Sequence, residues 1–200
     1  MTIDVRVARR RVLAFFGCLL ALPVWSQAAL SIKPLAEKRV DRLPEGDLFW
    51  RIENFPSEAE AVAAATPWSL SVQAAGKVWL FTLGAPGRAS ERAARVTEVG
   101  PIPRVSATEY LLRVNEATGV PGSVTPVHSH PGSEAFYVLK GQQSIRGAHG
   151  VLRIDAGTAE AGHGADQPMQ VSSSGSTDLH ALVMFVVDAK RPFSSPAALP

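Results

Sequence analysis

Between two glycines, Gly122 and Gly141, the chain reads Gly-Ser-Val-Thr-Pro-Val-His-Ser-His-Pro-Gly-Ser-Glu-Ala-Phe-Tyr-Val-Leu-Lys-Gly, and this stretch constrains the fold more than any other. His128 and His130 are two residues apart, so an extended Thr125 to His130 segment sends both imidazoles off one face. Pro131-Gly132-Ser133 is turn chemistry, and Glu134 to Lys140 has the alternation and aromatic content of a returning strand. On that strand Glu134, Phe136 and Val138 share a face, and a hairpin would carry one carboxylate back to the two imidazoles. Two His and one carboxylate on one side of an ion, with positions left open, suit Fe(II) and also accept other divalent metals. The expected cofactor is therefore one divalent metal ion held by His128, His130 and Glu134, with Fe, Mn, Zn, Ni, Co and Cu not distinguished.

A glycine, five residues, His-x-His, three residues, Glu, six residues and a second glycine also form a family pattern. Gly122, His128, His130, Glu134 and Gly141 match it without a gap, and the chain resembles the cupin superfamily on this first motif. The resemblance implies an all-β fold, a cupin-type antiparallel β-barrel or jelly roll with the metal inside its mouth. It also implies a second motif whose His supplies a fourth ligand. The best local alignment places Gly164, Asp166, Met169 and Ser173 at the Pro, Gly, His and Asn places of that motif, so the fourth His is missing. A thioether is a soft, weak ligand, which makes Met169 a pocket-lining residue together with Phe136 and Val138. His163 is the candidate additional metal ligand, carried by the Gly-rich loop Ala161-Gly-His-Gly-Ala-Asp166, and Gln170 is a weaker one.

The N-terminus carries Arg6, Arg9, Arg10 and Arg11, an apolar run from Val12 to Leu22, then Ser26 and Ala28 as small residues. This is the outline of a cleavable signal peptide over residues 1–28, with the run too short for a membrane span. Arg9-Arg10-Arg11 loosely resembles a twin-arginine signal. The expectation is export to the periplasm or medium, with no stable membrane insertion after cleavage. Cys18, the single cysteine, falls in the apolar run, so the processed chain has no disulfide. The leader holds four Arg and one Asp, so a whole-chain charge of +2 becomes −1 on its removal. With no basic patch left, nucleic acid is not an expected partner.

Residues 29–45, containing Pro34 and Pro44, read as an extended arm or linker. Residues 46–107 read as strands and one short helix that pack on or complete the barrel. Within them Ser57-Glu-Ala-Glu60 is a capping box, and Trp68 to Gln73 and Lys77 to Leu83 form a hairpin about Ala74-Ala-Gly76. A strand at Arg95 to Val99 is followed by a Pro-punctuated turn at Pro101 and Pro103. Residues 108–190 are expected to hold the barrel core, with strands at Thr108 to Val114, Gln142 to Arg146, Val151 to Ile154 and, as the strongest signal, Asp178 to Val187. Residues 191–200 read as a Pro/Ser/Ala tail.

His180 and His149 carry plain structural readings, the first on an apolar strand and the second in a turn. The expected partner is a small-molecule ligand or substrate. Three functions fit: a metal-dependent enzyme of the dioxygenase or isomerase type, a non-catalytic barrel binding a small molecule or metal, and a barrel with a vestigial site. The resemblance to cupins, which are often dimers, also makes a homodimer one expected form.

Overall fold

In the computed structural model, residues 28–200 are described; the signal-peptide reading therefore lies, apart from Ala28, outside the described residues. In chain order the elements are β1 (Ser31–Val40), β2 (Leu48–Phe55), α1 (Glu58–Ala64), β3 (Ser69–Ala74), β4 (Lys77–Gly84), β5 (Ala94–Ile102), β6 (Tyr110–Gly119) and β7 (His128–Ser129). There follow β8 (Gly132–Lys140), β9 (Gln142–Gly147), β10 (Gly150–Asp155), β11 (Ala159–Ala161), β12 (Met169–Ser173), β13 (Leu179–Asp188) and β14 (Ser195–Pro196). The fold is all-β with one short helix, and the strands assemble into three antiparallel sheets.

The organising strand is β13, because it is apolar on both faces. Leu182, Met184 and Val186 point one way and join Trp50, Trp79, Phe81 and Leu112 in one core. Ala181, Val183, Phe185 and Val187 point the other way and join Phe136, Val138, Ile145 and Met169 in a second core. A strand covered on both sides reads as a continuous hydrophobic run, which is why Leu179 to Val187 carried the strongest strand signal. It occupies the centre of the sheet β1-β6-β13-β8-β11. On one face lies the outer sheet β3-β4-β2-β5; on the other lies β10-β9-β12-β7-β14, which with the central sheet makes the barrel.

Local chemistry explains several elements. Ser57 caps α1 by accepting from the Glu60 N–H at 3.3 Å, as the capping box requires. β3 and β4 join through Ala75 and Gly76, both at positive φ, the geometry that matches the strands' twist. β5 runs on through Pro101, where a turn was expected, since it is the edge strand of its sheet and needs no N–H there.

Two expectations are corrected. Residues 31–40 are not a free arm but an edge strand of the central sheet, paired with β6 from Ser31↔Thr118 to Val40↔Tyr110 around a bulge near Pro34. The residues from His128 to Lys140 are not a hairpin. β7 pairs with β12 and β14, whereas β8 pairs with β13 and β11. Pro131, without an N–H to give to a ladder, stands where the chain crosses from one sheet to the other.

Candidate functional site

The crossing at Pro131 puts His128 and His130 on the wall opposite β8, so that the imidazoles and Glu134 face one cavity from different sheets. The cavity measures about 410 Å³ and includes His128, His130, Glu134, Phe136, Val183 and Phe185 in its lining. Each imidazole is held by its Nδ1. That of His128 lies 2.8 Å from the Pro126 carbonyl, and that of His130 lies 2.6 Å from the Phe193 carbonyl. A carbonyl accepts, so both Nδ1 atoms carry the proton and both Nε2 atoms are left as free lone pairs. The rings stand edge to face with centroids 5.0 Å apart, and His130 is wedged between Phe185 at 4.9 Å and Phe193 at 4.7 Å.

Burial sets the protonation. His130 is pushed down to about 4 by loss of solvent, which outweighs the Phe193 carbonyl; His128 and Arg113 add smaller repulsions. Glu134 is pushed up to about 8 by complete burial, opposed in part by the His163 backbone N–H. Its Oε1 has no partner at all. At neutral pH the site therefore holds a neutral His130 and a carboxylic acid at Glu134.

The other sequence-assigned residues take up different places. Phe136 lines the cavity. Val138 and Met169 are buried in the core around it and not on its wall. Met169 is nevertheless the Cα partner of His128, and Asp166, at the aligned glycine place, has a left-handed φ of 62°. His163 does not reach the cavity lining. Its Nε2 lies buried and unpartnered against Gly147, and burial together with His149 lowers its pKa. Gln170 donates to the Thr125 carbonyl at 3.1 Å. His149 is exposed, and His180 pairs with Glu116 at 2.8 Å, as their plain readings anticipated. Sequence reading missed Phe193: its contribution to His130 is a backbone carbonyl, which no residue type announces.

The donor chemistry suits a divalent ion. Two Nε2 atoms are preset by carbonyl partners, as metal-binding imidazoles commonly are, and a buried carboxyl oxygen lacks any partner. The three groups are not drawn together, however: among the described residues no three His, Cys, Asp or Glu side chains gather closely enough to hold an ion. A larger, open groove of about 760 Å³ on the outer sheet has neither His nor carboxylate in its lining.

No family model matches the sequence. No curated protein matches it either. Solved structures do align with part of it. A DMSP lyase, DddQ from Ruegeria pomeroyi, is 20% identical over 43% of this chain and 43% of its own, with a TM-score of 0.38. A cupin-like protein from Thermotoga maritima is 15% identical over 44% of this chain and 65% of its own, with a TM-score of 0.39. The polyketide cyclase RemF from Streptomyces resistomycificus is 20% identical over 44% of this chain and 62% of its own, with a TM-score of 0.37. Each alignment spans less than two thirds of the other chain. The chain's own features are an antiparallel two-sheet barrel that carries the five motif residues, with Gly122 and Gly141 at φ of 84° and 78° and the two His and Glu134 turned into its cavity, the all-β barrel expected from the motif.

Proposed function

We propose that this chain is an exported barrel that uses a divalent metal ion in chemistry on a small, largely apolar molecule. The observation that supports it best is the shared cavity: two imidazoles with Nδ1 tied to carbonyls and a buried carboxyl with an unpartnered oxygen all face the same apolar space. His128 and His130 would hold the ion through Nε2, with Glu134 as third donor. When bound, the ion supplies a Lewis acid or redox centre at its open positions. The walls, Phe136, Val183 and Phe185 among them, exclude water and strengthen every polar interaction inside. Without an ion Glu134 holds its proton at neutral pH, and it would release that proton on becoming the third donor.

The test is elemental analysis of protein purified without chelator or affinity tag. About one metal per chain, most of it lost in His128→Ala, is the expected result; unchanged stoichiometry in the variant would sink the site. The spread of the three donors favours a second reading, a barrel that binds its small molecule without metal. Failure to take up Fe, Mn, Zn, Ni, Co or Cu on reconstitution would select it.

A further inference from the structure

The Pro/Ser/Ala composition of residues 192–200 predicts a plain tail, yet residues 191–197 run back across the mouth of the barrel. The Phe193 carbonyl holds His130 Nδ1 at 2.6 Å, and its ring packs on His130 at 4.7 Å and on Phe185 at 4.9 Å. The Arg113 guanidinium covers the Phe193 ring at 4.3 Å. Beyond it Ser195 and Pro196 pair with β7, and the Ala197 N–H donates to the Val127 carbonyl at 3.2 Å. At the near end Arg191 grips Asp166 through two hydrogen bonds of 2.6 and 3.0 Å, and the Asp166 N–H donates to the His130 carbonyl at 2.8 Å. Phe193, Ser194 and Pro196 are cavity wall.

We propose that Phe193 positions His130 and decides what enters: its carbonyl fixes the imidazole, its ring is the movable wall, and ligand reaches the cavity when residues 191–197 lift. This rests on the cavity being the ligand site. The part of the wall on β6, β8 and β13 is fixed, since these strands belong to a sheet covered on both faces. Apart from the packing of the Phe193 ring, the strap is held by a two-residue ladder, the Ala197 N–H to the Val127 carbonyl, one carbonyl to His130 and one exposed ion pair, each a weak restraint taken singly. Segments so held open at low cost. The ligand class follows from the lining, which away from His128, His130 and Glu134 is mostly apolar and contains no Lys or Arg: a compact, largely apolar molecule.

The experiment uses N-phenyl-1-naphthylamine, a neutral apolar fluorophore, in stopped flow, and diethyl pyrocarbonate labelling of His130 read by peptide mass spectrometry, with exposed His149 as reference. In Phe193→Ala the probe's on-rate and His130 labelling should both rise on the order of tenfold, the scale of one lost aromatic contact and a loosened hydrogen bond. Phe193→Leu, which keeps most of the wall, should stay near wild type. A chain ending at Lys190 should exceed Phe193→Ala. Values within twofold of wild type in both opened forms would overturn the proposal. If either loses its cooperative melt, Asp166→Asn, which releases the latch and leaves Phe193 in place, must still raise His130 labelling; no rise there overturns it. Faster His130 labelling with no probe bound by any form would overturn the cavity as ligand site and leave Phe193 as the holder of His130.

Discussion

On the face of the central sheet that meets β2 to β5, Leu182, Met184 and Val186 close against Trp50, Trp79 and Phe81, side chains with almost no exposure. On the opposite face the same strand offers Val183 and Phe185 to a cavity that also receives two imidazoles and an unpartnered carboxyl. One sheet thus has a filled side and a hollow side, built from alternate residues of one strand. The filled side supplies the rigidity that lets the hollow side keep an acid out of water. Interiors close-pack wherever nothing prevents it, so the space left on this wall is where the proposed ligand would sit.

The largest expected difference between the faces comes from one substitution made on each. Phe81→Ala on the filled side should cost about 3–5 kcal/mol, because neighbours on every side lose contact and leave a new void. Phe185→Ala, whose ring already borders the cavity, should cost about 2–3 kcal/mol, since part of its surroundings is empty before the change. Urea unfolding of the two variants measures the gap. Equal losses would mean that the hollow closes up and that the comparison fails.

Much of this arrangement was legible in the chain, and the illegible parts share a cause. The doubly apolar run at Leu179 to Val187, the Ser57 cap and the Ala75-Gly76 turn are local signals that the fold uses directly. The His-x-His and Glu134 spacing named residues that do meet at one cavity, although through two sheets and not a hairpin. β1 was hidden because it is an edge strand, exposed along most of its length, and shows no hydrophobic alternation. Phe193 was hidden because backbone carbonyls have no sequence signature. The displaced fourth ligand place was legible only as an absence: Met169 pairs with His128 in register, yet its side chain belongs to the core.

Next in size is the pH dependence that the hollow side imposes. Glu134 titrates near 8 in the fold against an ordinary 4.5, so between those values the folded state binds the extra proton and stability falls as pH rises. His130, at about 4 against 6.5, works the opposite way: over that window the unfolded chain binds more protons, and stability is lost as pH falls. The two slopes cancel between about 4.5 and 6.5, which leaves Glu134 alone above. From pH 6.5 to 8 the protein should lose about 1–2 kcal/mol, at up to about 1.4 kcal/mol per pH unit. Glu134→Gln should flatten that fall in chemical denaturation. An unchanged slope in the variant would place the acid in water and not in the cavity wall.

A further substitution separates hollow from soft. Gly162 donates its N–H to the Glu134 carbonyl at 2.9 Å, and a Cβ there would stand 2.6 Å from both Glu134 Cγ and Phe136 Cε2. Those atoms belong to the shell of the cavity, and a shell free to relax inward would absorb a methyl group at little cost. The positions of β8 are fixed by pairing with β13 on one side and β11 on the other, so the extra carbon must displace packed side chains. Gly162→Ala should therefore destabilise by about 1–3 kcal/mol, the range for overpacking a set interior. It should also shift the Glu134 titration, which a methyl in slack space would leave alone. A cost within measurement error, with the pH profile unmoved, would make the cavity an adaptable void; the expected cost makes it a rigid mould, filled on one face of the sheet so that it can stay empty on the other.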